Sequence, residues 1–171
     1  MPKKSNLILV LVRNDDIEFI LPRVLKFISQ HLHYLNDDFD AIIVSPGVHK
    51  PKQIGRFNFL RMEVDGASFL TFVKFKNIMK HYLNVWCVDY SHLQCKSVSN
   101  LRELGYDDIV FQAGKRKGEI DAATYYGKTG AICDLLSFLE ARKSYKAKEG
   151  KLIARWQKRT NSPVVEGDCG A

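Results

Sequence analysis

The sequence predicts an α/β fold, a three-layer sandwich with a mainly parallel central sheet and a flavodoxin-like or receiver-like architecture. Three observations carry this. Short apolar runs of strand length recur along the chain, at Leu7 to Val12, Ala41 to Val44, Val85 to Val88 and Ile109 to Phe111. They lack the polar alternation of a half-exposed antiparallel strand, so they read as strands covered on both faces. Segments with apolar residues at helical spacing lie between them, and alternating strands and helices close into an open sheet with helices on both sides.

The first strand spans Asn6 to Val12. Asn14, Asp15 and Asp16 then offer capping side chains and negative charge for a helix N-terminus, and Ile17, Ile20, Leu21, Val24, Leu25, Ile28 and Leu32 continue at helical spacing, with Pro22 inside the pattern. Phe39 to Val44 is a second strand, stopped by Ser45-Pro46-Gly47, and the stretch to Pro51 reads as a loop. Phe57 to Val64 is a third strand, placed at an edge and ended by Asp65-Gly66. Phe69 to Tyr82 carries the spacing of a second helix, Val85 to Val88 a fourth strand, Ser97 to Leu104 a short helix capped by Gly105, and Ile109 to Phe111 a fifth strand. From Ile120 to about Arg159 the pattern predicts one long helix or two, interrupted at Gly127, Gly130 or Gly150. Residues 1–160 thus form a single α/β domain with a basic C-terminal helix, and 161–171 a flexible tail.

A chain of 171 residues suits one core. Its 46% hydrophobic and 26% charged residues exclude a disordered or collagen-like chain. The longest apolar run is far shorter than the roughly 20 residues of a membrane helix, and no signal-peptide pattern stands out; a cytoplasmic protein with no membrane span is expected. The net charge of +7 is localised. Lys115 to Thr160 holds twelve Lys or Arg against five Asp or Glu, whereas the rest of the chain balances at fourteen of each. A localised surplus attracts phosphates or an acidic partner. Arg142, Lys143, Lys146, Lys151, Arg155, Lys158 and Arg159 are the candidate polyanion-binding residues, either as phosphate contacts with little sequence specificity or as a solvated helix face.

Four cysteines, Cys87, Cys95, Cys133 and Cys169, form no Cys-x-x-Cys pair, and the histidines form no metal-ligand spacing; His31 and His33 would face different sides of a helix. Ala122 to Thr129 (AATYYGKT) satisfies a permissive phosphate-loop pattern, yet such a loop must join a strand end to a helix start with glycine flexibility, and Tyr125 and Tyr126 crowd it. Asp15 and Asp16 follow the first strand and Asp89 ends the fourth. At the carboxyl edge of a parallel sheet, where ligands bind, these three acids would suit a hard cation such as Mg²⁺; acids after a strand also cap helices.

Leu9 to Ile28 (LVLVRNDDIEFILPRVLKFI), Phe39 to Pro46 (FDAIIVSP) and Val85 to Gln112, above all Leu101 to Phe111 (LRELGYDDIVF), resemble the response-regulator receiver domain, a doubly wound five-stranded α/β fold. The resemblance implies a phosphoacceptor aspartate where this chain has Ser45, a switch threonine or serine where it has Asp89, and a fifth-strand lysine where it has Gln112. Only the acid pair Asp15 and Asp16 matches. A fainter likeness to the catalytic domain of serine recombinases rests on Val88-Asp89 and the long basic helix, with Asn14 near the place of the nucleophilic serine. The receiver resemblance with these departures implies a non-catalytic regulatory or scaffolding domain that docks a protein partner, without a cofactor. Nucleic acid is a further candidate partner through the basic helix, and a homo-oligomer is compatible with the chain. The alternative is a Mg²⁺-dependent enzyme using Asp15, Asp16 and Asp89.

Overall fold

The computed structural model describes residues 4–13, 17–29, 39–47, 49–54, 57–64, 66–94, 109–143 and 148–165. Its strands are β1 (Lys4–Leu11), β2 (Phe39–Pro46), β3 (His49–Ile54), β4 (Phe57–Met62), β5 (Tyr82–Asp89), β6 (Ile109–Ala113), β7 (Ile120–Lys128) and β8 (Val164–Val165). Its helices are α1 (Ile17–Ser29), α2 (Ser68–Phe72), α3 (Lys76–Met79), α4 (Thr129–Glu140) and α5 (Glu149–Thr160), with 3-10 turns at Val73–Phe75 and Tyr90–His92. The strands form one eight-stranded sheet in the order β3-β4-β2-β1-β5-β7-β6-β8. The pairings β4-β2, β2-β1, β1-β5 and β6-β8 are parallel; β3-β4, β5-β7 and β7-β6 are antiparallel. The predicted α/β architecture with a mainly parallel sheet is therefore what the chain adopts.

Alternation along the strands divides the core into two layers. Leu7, Leu9 and Leu11 of β1, with Ile42, Val44, Val85 and Cys87, face a layer built by Phe69 and Phe72 of α2, Met79 of α3, Ile132, Leu135, Leu136 and Leu139 of α4, and Leu152 and Ile153 of α5. Ile8, Val10 and Val12, with Ala41, Ile43, Trp86 and Val88, face Val24, Phe27 and Ile28 of α1. Burial on both faces is why these strands read as continuous apolar runs. Val24, Phe27 and Ile28 recur at the spacing that puts one helix stripe on a sheet, and the Phe27 ring meets Trp86 and Tyr90, each at 5.5 Å between centroids.

Several expectations are corrected. Of the one or two helices expected from Ile120, two exist, α4 and α5, but they begin only at Thr129: Ile120–Lys128 is strand β7, inserted antiparallel between β5 and β6, so the four apolar strands are not all neighbours as in a simple doubly wound sheet. The basic segment is then split: Lys115, Arg116 and Lys117 precede β7, Lys128 ends it, Arg142 and Lys143 follow the end of α4, Lys148 precedes α5, and Lys151, Arg155, Lys158 and Arg159 lie on α5. The stretch read as a loop up to Pro51 contains edge strand β3, which tolerates a proline because, among the described residues, its outer side has no strand to bond; β4 is consequently paired on both sides. The helix expected over Phe69 to Tyr82 is two short helices around a 3-10 turn, and Tyr82 opens β5. Asn161 to Val165, read as the start of a loose tail, is tied down. Asn161 closes α5 in the left-handed conformation (φ 52°), the Phe111 amide donates to the Pro163 carbonyl at 2.9 Å, and Val164–Val165 pairs with β6. The short helix over Ser97 to Leu104 and Gly105 lie outside the described residues. Among the described residues, no helix is long and apolar enough to cross a membrane.

Candidate functional site

Asp89 is the last residue of β5, at the carboxyl edge of the sheet, level with Leu11 of β1. Its side chain is 1% exposed. The Arg13 Nε, from the residue pair that follows β1, donates to Asp89 Oδ2 at 3.0 Å, and His92 Nδ1 lies 3.2 Å from the same oxygen. The 3-10 turn Tyr90–His92 sets that geometry, because it brings the histidine back over the strand end, and the Arg13 amide anchors the turn by donating to Ser91 Oγ at 2.8 Å. His92 is 62% exposed, so its ring stands between the buried carboxylate and solvent. Among the described residues nothing hydrogen-bonds Asp89 Oδ1. A buried carboxylate oxygen without a donor is costly.

Asp89 lines a cavity of about 150 Å³ together with Ser68, His92, Gln94, Asp121, Ala122, Ala123, Glu149 and Gly150. The insertion of β7 explains how the acids meet. Because β7 runs antiparallel to β5, its first residues rather than its last reach the carboxyl edge, and Asp121 arrives beside the end of β5. The Asp121 carboxylate is engaged structurally: Oδ1 accepts from the Ala123 amide at 3.0 Å, and Oδ2 from the Gln94 amide at 3.0 Å and Gln112 Nε2 at 3.4 Å. Glu149 opens α5 and reaches across to α2. Its Oε1 accepts from Ser68 Oγ at 2.8 Å and the Phe69 amide at 3.2 Å, and its Oε2 from the Ser68 amide at 3.2 Å. Burial raises the Glu149 pKa above the usual carboxylate range, and these hydrogen bonds oppose the shift.

The Tyr125 phenol is fully buried, and burial above all pushes its pKa well up, with the Glu149 and Asp89 carboxylates adding to the shift. Neither Tyr125 Oη nor Thr71 Oγ1 has a hydrogen-bond partner among the described residues. No group of three His, Cys, Asp or Glu among the described residues is arranged to hold a metal ion alone. Among the described carboxylates that line the cavity, Asp89 has the one uncommitted oxygen, Oδ1, which fits a hard cation of the Mg²⁺ kind, held through one or two carboxylates and completed by waters and substrate phosphates.

Of the acids expected to meet at this edge, Asp89 is there, and Asp15 and Asp16 lie outside the described residues. Asp121 and Glu149 were not foreseen. The phosphate-loop pattern forms no loop, in keeping with the crowding by Tyr125 and Tyr126, but it is not helix-borne either: Ala122 to Lys128 is strand, with Tyr125 and Tyr126 buried in it. Its strand-to-helix junction falls at the opposite edge, where Lys128 pairs with Asn84 and Thr129 Oγ1 donates to the Tyr82 carbonyl at 2.7 Å.

Among the polyanion candidates, Lys151, Arg155, Lys158 and Arg159 are exposed on α5, opposite buried Leu152 and Ile153. Arg142 is occupied locally, stacked 3.7 Å from the Phe138 ring centre and donating to the Phe138 carbonyl at 3.0 Å. Lys143 is exposed, and Lys146 lies outside the described residues.

No family model matches the chain, and no curated protein matches it in sequence. Solved structures do match in fold. A 4-diphosphocytidyl-2C-methyl-D-erythritol synthase from Anaerococcus prevotii superposes with a TM-score of 0.63 at 12% identity, covering 96% of this chain and 88% of that one. A 2-C-methyl-D-erythritol 4-phosphate cytidylyltransferase from Thermus thermophilus gives a TM-score of 0.50 at 12% identity, covering 95% of this chain and 88% of that one. These matches correct the expectation of a receiver-like regulatory or scaffolding domain, since the two structures superposed over nearly the whole chain are cytidylyltransferases and not receiver domains. At 12% identity the likeness fixes architecture and not activity, and the chain has the α/β fold of these cytidylyltransferases.

Proposed function

We propose that this chain is a nucleotidyltransferase-like enzyme that binds a nucleoside triphosphate with a divalent cation at the carboxyl edge of its sheet. The observation that carries the reading is Asp89: a carboxylate almost completely buried at the end of a central strand, pinned through Oδ2 by Arg13 and His92, with Oδ1 uncommitted beside an acidic cavity. A charge is retained in such a place at a cost unless something completes it. The likeness in fold to two cytidylyltransferases supports the same class.

Asp89 and the substrate phosphates would hold the cation, which when bound supplies charge to the phosphate oxygens. The protein's own residues do the rest. Arg13 and the 3-10 turn fix the orientation of the Asp89 carboxylate, β7 supplies the cavity wall through Asp121, and Glu149 joins α5 to α2 so that the wall keeps its shape. A cytoplasmic location is part of this proposal, because nucleoside triphosphates are abundant there.

Thermal stabilisation by each of the four common nucleoside triphosphates, with and without Mg²⁺, tests the binding half. A ligand at a hundred times its Kd adds about 2.7 kcal/mol, about 5–11 °C for a chain of this size. Release of pyrophosphate from the stabilising nucleotide with a panel of phosphorylated polyols tests the transfer half. Asp89→Asn is expected to remove the Mg²⁺-dependent part of both. Absence of any Mg²⁺-dependent shift with all four nucleotides at millimolar concentration overturns the proposal.

A further inference from the structure

The turn that joins β6 to β7 carries Lys115, Arg116 and Lys117, all exposed. Two antiparallel steps separate β6 from β5, so the two strands run the same way and this hairpin tip lies at the carboxyl edge, on the side of the sheet end where Asp89 lies. The tip is built, not loose. The Gly114 amide donates to the Glu119 carbonyl at 2.7 Å and the Glu119 amide to the Arg116 carbonyl at 3.1 Å, while Gly118 takes the positive φ of 79° that closes the turn.

The tip is also joined to the cavity. The Lys115 amide donates to Gln94 Oε1 at 3.3 Å, and the Gln94 amide in turn donates to Asp121 Oδ2; Gln94 and Asp121 both line the cavity. Gly114 allows this approach, because a Cβ there would stand 2.8 Å from Gln94 Oε1. One hydrogen-bonded chain therefore runs from the acidic cavity to three consecutive cations.

Among the described residues, no carboxylate forms an ion pair with the side chains of Lys115, Arg116 or Lys117. Three like charges at one tip repel each other, and a polyanion relieves that repulsion. The cavity alone is acidic and would reject a phosphate chain. A cation at Asp89 on one side and a basic tip on the other accommodate it. The α5 stripe is a poorer candidate, since it leads away from the cavity and Arg159 stands ten residues beyond Glu149, about 15 Å along a helix.

We infer that the Lys115-Arg116-Lys117 tip is the phosphate-chain clamp of this site, and that the group it receives is the polyphosphate of a nucleoside triphosphate; the inference rests on the reading of the site as nucleotide-binding. The test is calorimetric titration of the full chain with Mg²⁺ and inorganic tripolyphosphate, then with the nucleoside triphosphates and Mg²⁺, at low and high salt. Combining Lys115→Gln, Arg116→Gln and Lys117→Gln is expected to weaken tripolyphosphate binding at least tenfold and to flatten its salt dependence. A control removing the same charge from α5, by Lys151→Gln, Lys158→Gln and Arg159→Gln, is expected to stay within twofold of wild type.

Unchanged affinity in the tip variant, an equal or larger loss in the α5 control, or no tripolyphosphate binding by the wild type would each overturn the inference. The two readings fail separately. Tip-dependent binding of tripolyphosphate without binding of any nucleotide removes the nucleotide reading and leaves the clamp. Nucleotide turnover that the tip variant does not alter removes the clamp alone.

Discussion

Replacing Glu149 tests whether α5 holds the cavity wall together through one side chain. Its carboxylate accepts three hydrogen bonds from the start of α2, two from backbone amides and one from the Ser68 hydroxyl, with lengths of 2.8 to 3.2 Å. Ser68 and Phe69 are each 3% exposed, so the donors that Glu149→Ala abandons are buried. An orphaned buried donor costs about 1–3 kcal/mol, and three would cost more than most single substitutions do. The neighbouring cavity admits water into the space left, which offsets part of the loss, so the expected destabilisation is about 2–4 kcal/mol. For a chain of this length that lowers Tm by roughly 4–16 °C. Glu149→Gln should lose less, about 1–2 kcal/mol, because one oxygen remains while its amide group meets the Ser68 N–H donor to donor.

The pH dependence gives a second signature. Since burial raises the Glu149 pKa on folding, the folded state binds the proton more tightly than the unfolded one. Stability from this group is fully present below the ordinary carboxylate pKa and declines as pH rises through the raised value. Glu149→Gln has no such proton, so its stability profile should lack that decline. Differential scanning calorimetry across pH on the wild type and both variants measures both effects. An alanine variant that melts within about 2 °C of the wild type would refute the capping role.

Four further substitutions test packing and backbone geometry. Thr124→Val leaves the buried Trp86 Nε1–H, now bonded to Thr124 Oγ1 at 2.8 Å, without an acceptor; a loss of about 1–3 kcal/mol in urea unfolding is expected, and Thr124→Ser should retain most of it. Gly118→Ala places a side chain at φ 79° and should cost about 1–2 kcal/mol, whereas Gly130→Ala in α4, with nothing within 4 Å of the added Cβ, should raise stability by about 0.4–1 kcal/mol.

The strands that could be read from the sequence are those buried on both faces. Leu7 to Val12 and Val85 to Val88 have no polar residue because both faces of the sheet are covered there. β7 escaped because Ala122, Ala123, Thr124 and Tyr126 carry no alternation, and its apolar content continues into α4 with no turn residue between them beyond Gly127. Its strand character comes from non-local pairing with Asn84 to Val88, to which the hairpin with Ile109 to Ala113 adds a second side. β3 is polar and holds a proline, and it is a strand only as the outer partner of β4.

The site was half legible for the same reason. Asp89 ends an apolar run, which marks a strand end at a ligand-binding edge. Asp121 depends on the direction of β7, and once Ile120 to Lys128 is taken as helix it cannot be brought to that edge. Glu149 had a local signal, an acid opening an amphipathic helix, but its role comes from α2, far away in sequence.

The central place of β1 sets an order of assembly during synthesis. It is made before both of its neighbours, and its two sides are completed by β2 and by β5, as in the pairing of Leu7 with Asp40 and with Val85. At about 5–20 residues per second, roughly 4–16 s pass between the emergence of Leu7 and that of Val85. Throughout that interval a stretch with no polar residue has at least one strand edge open, and of the helices that cover its Leu7, Leu9 and Leu11 face, α4 and α5 are made later still. The β6–β7 hairpin, by contrast, closes within a few residues of its own synthesis. The nascent chain is therefore most exposed to misassociation before Tyr82–Asp89 leaves the ribosome, and a holdase acting on this protein would meet it on the first half of the chain.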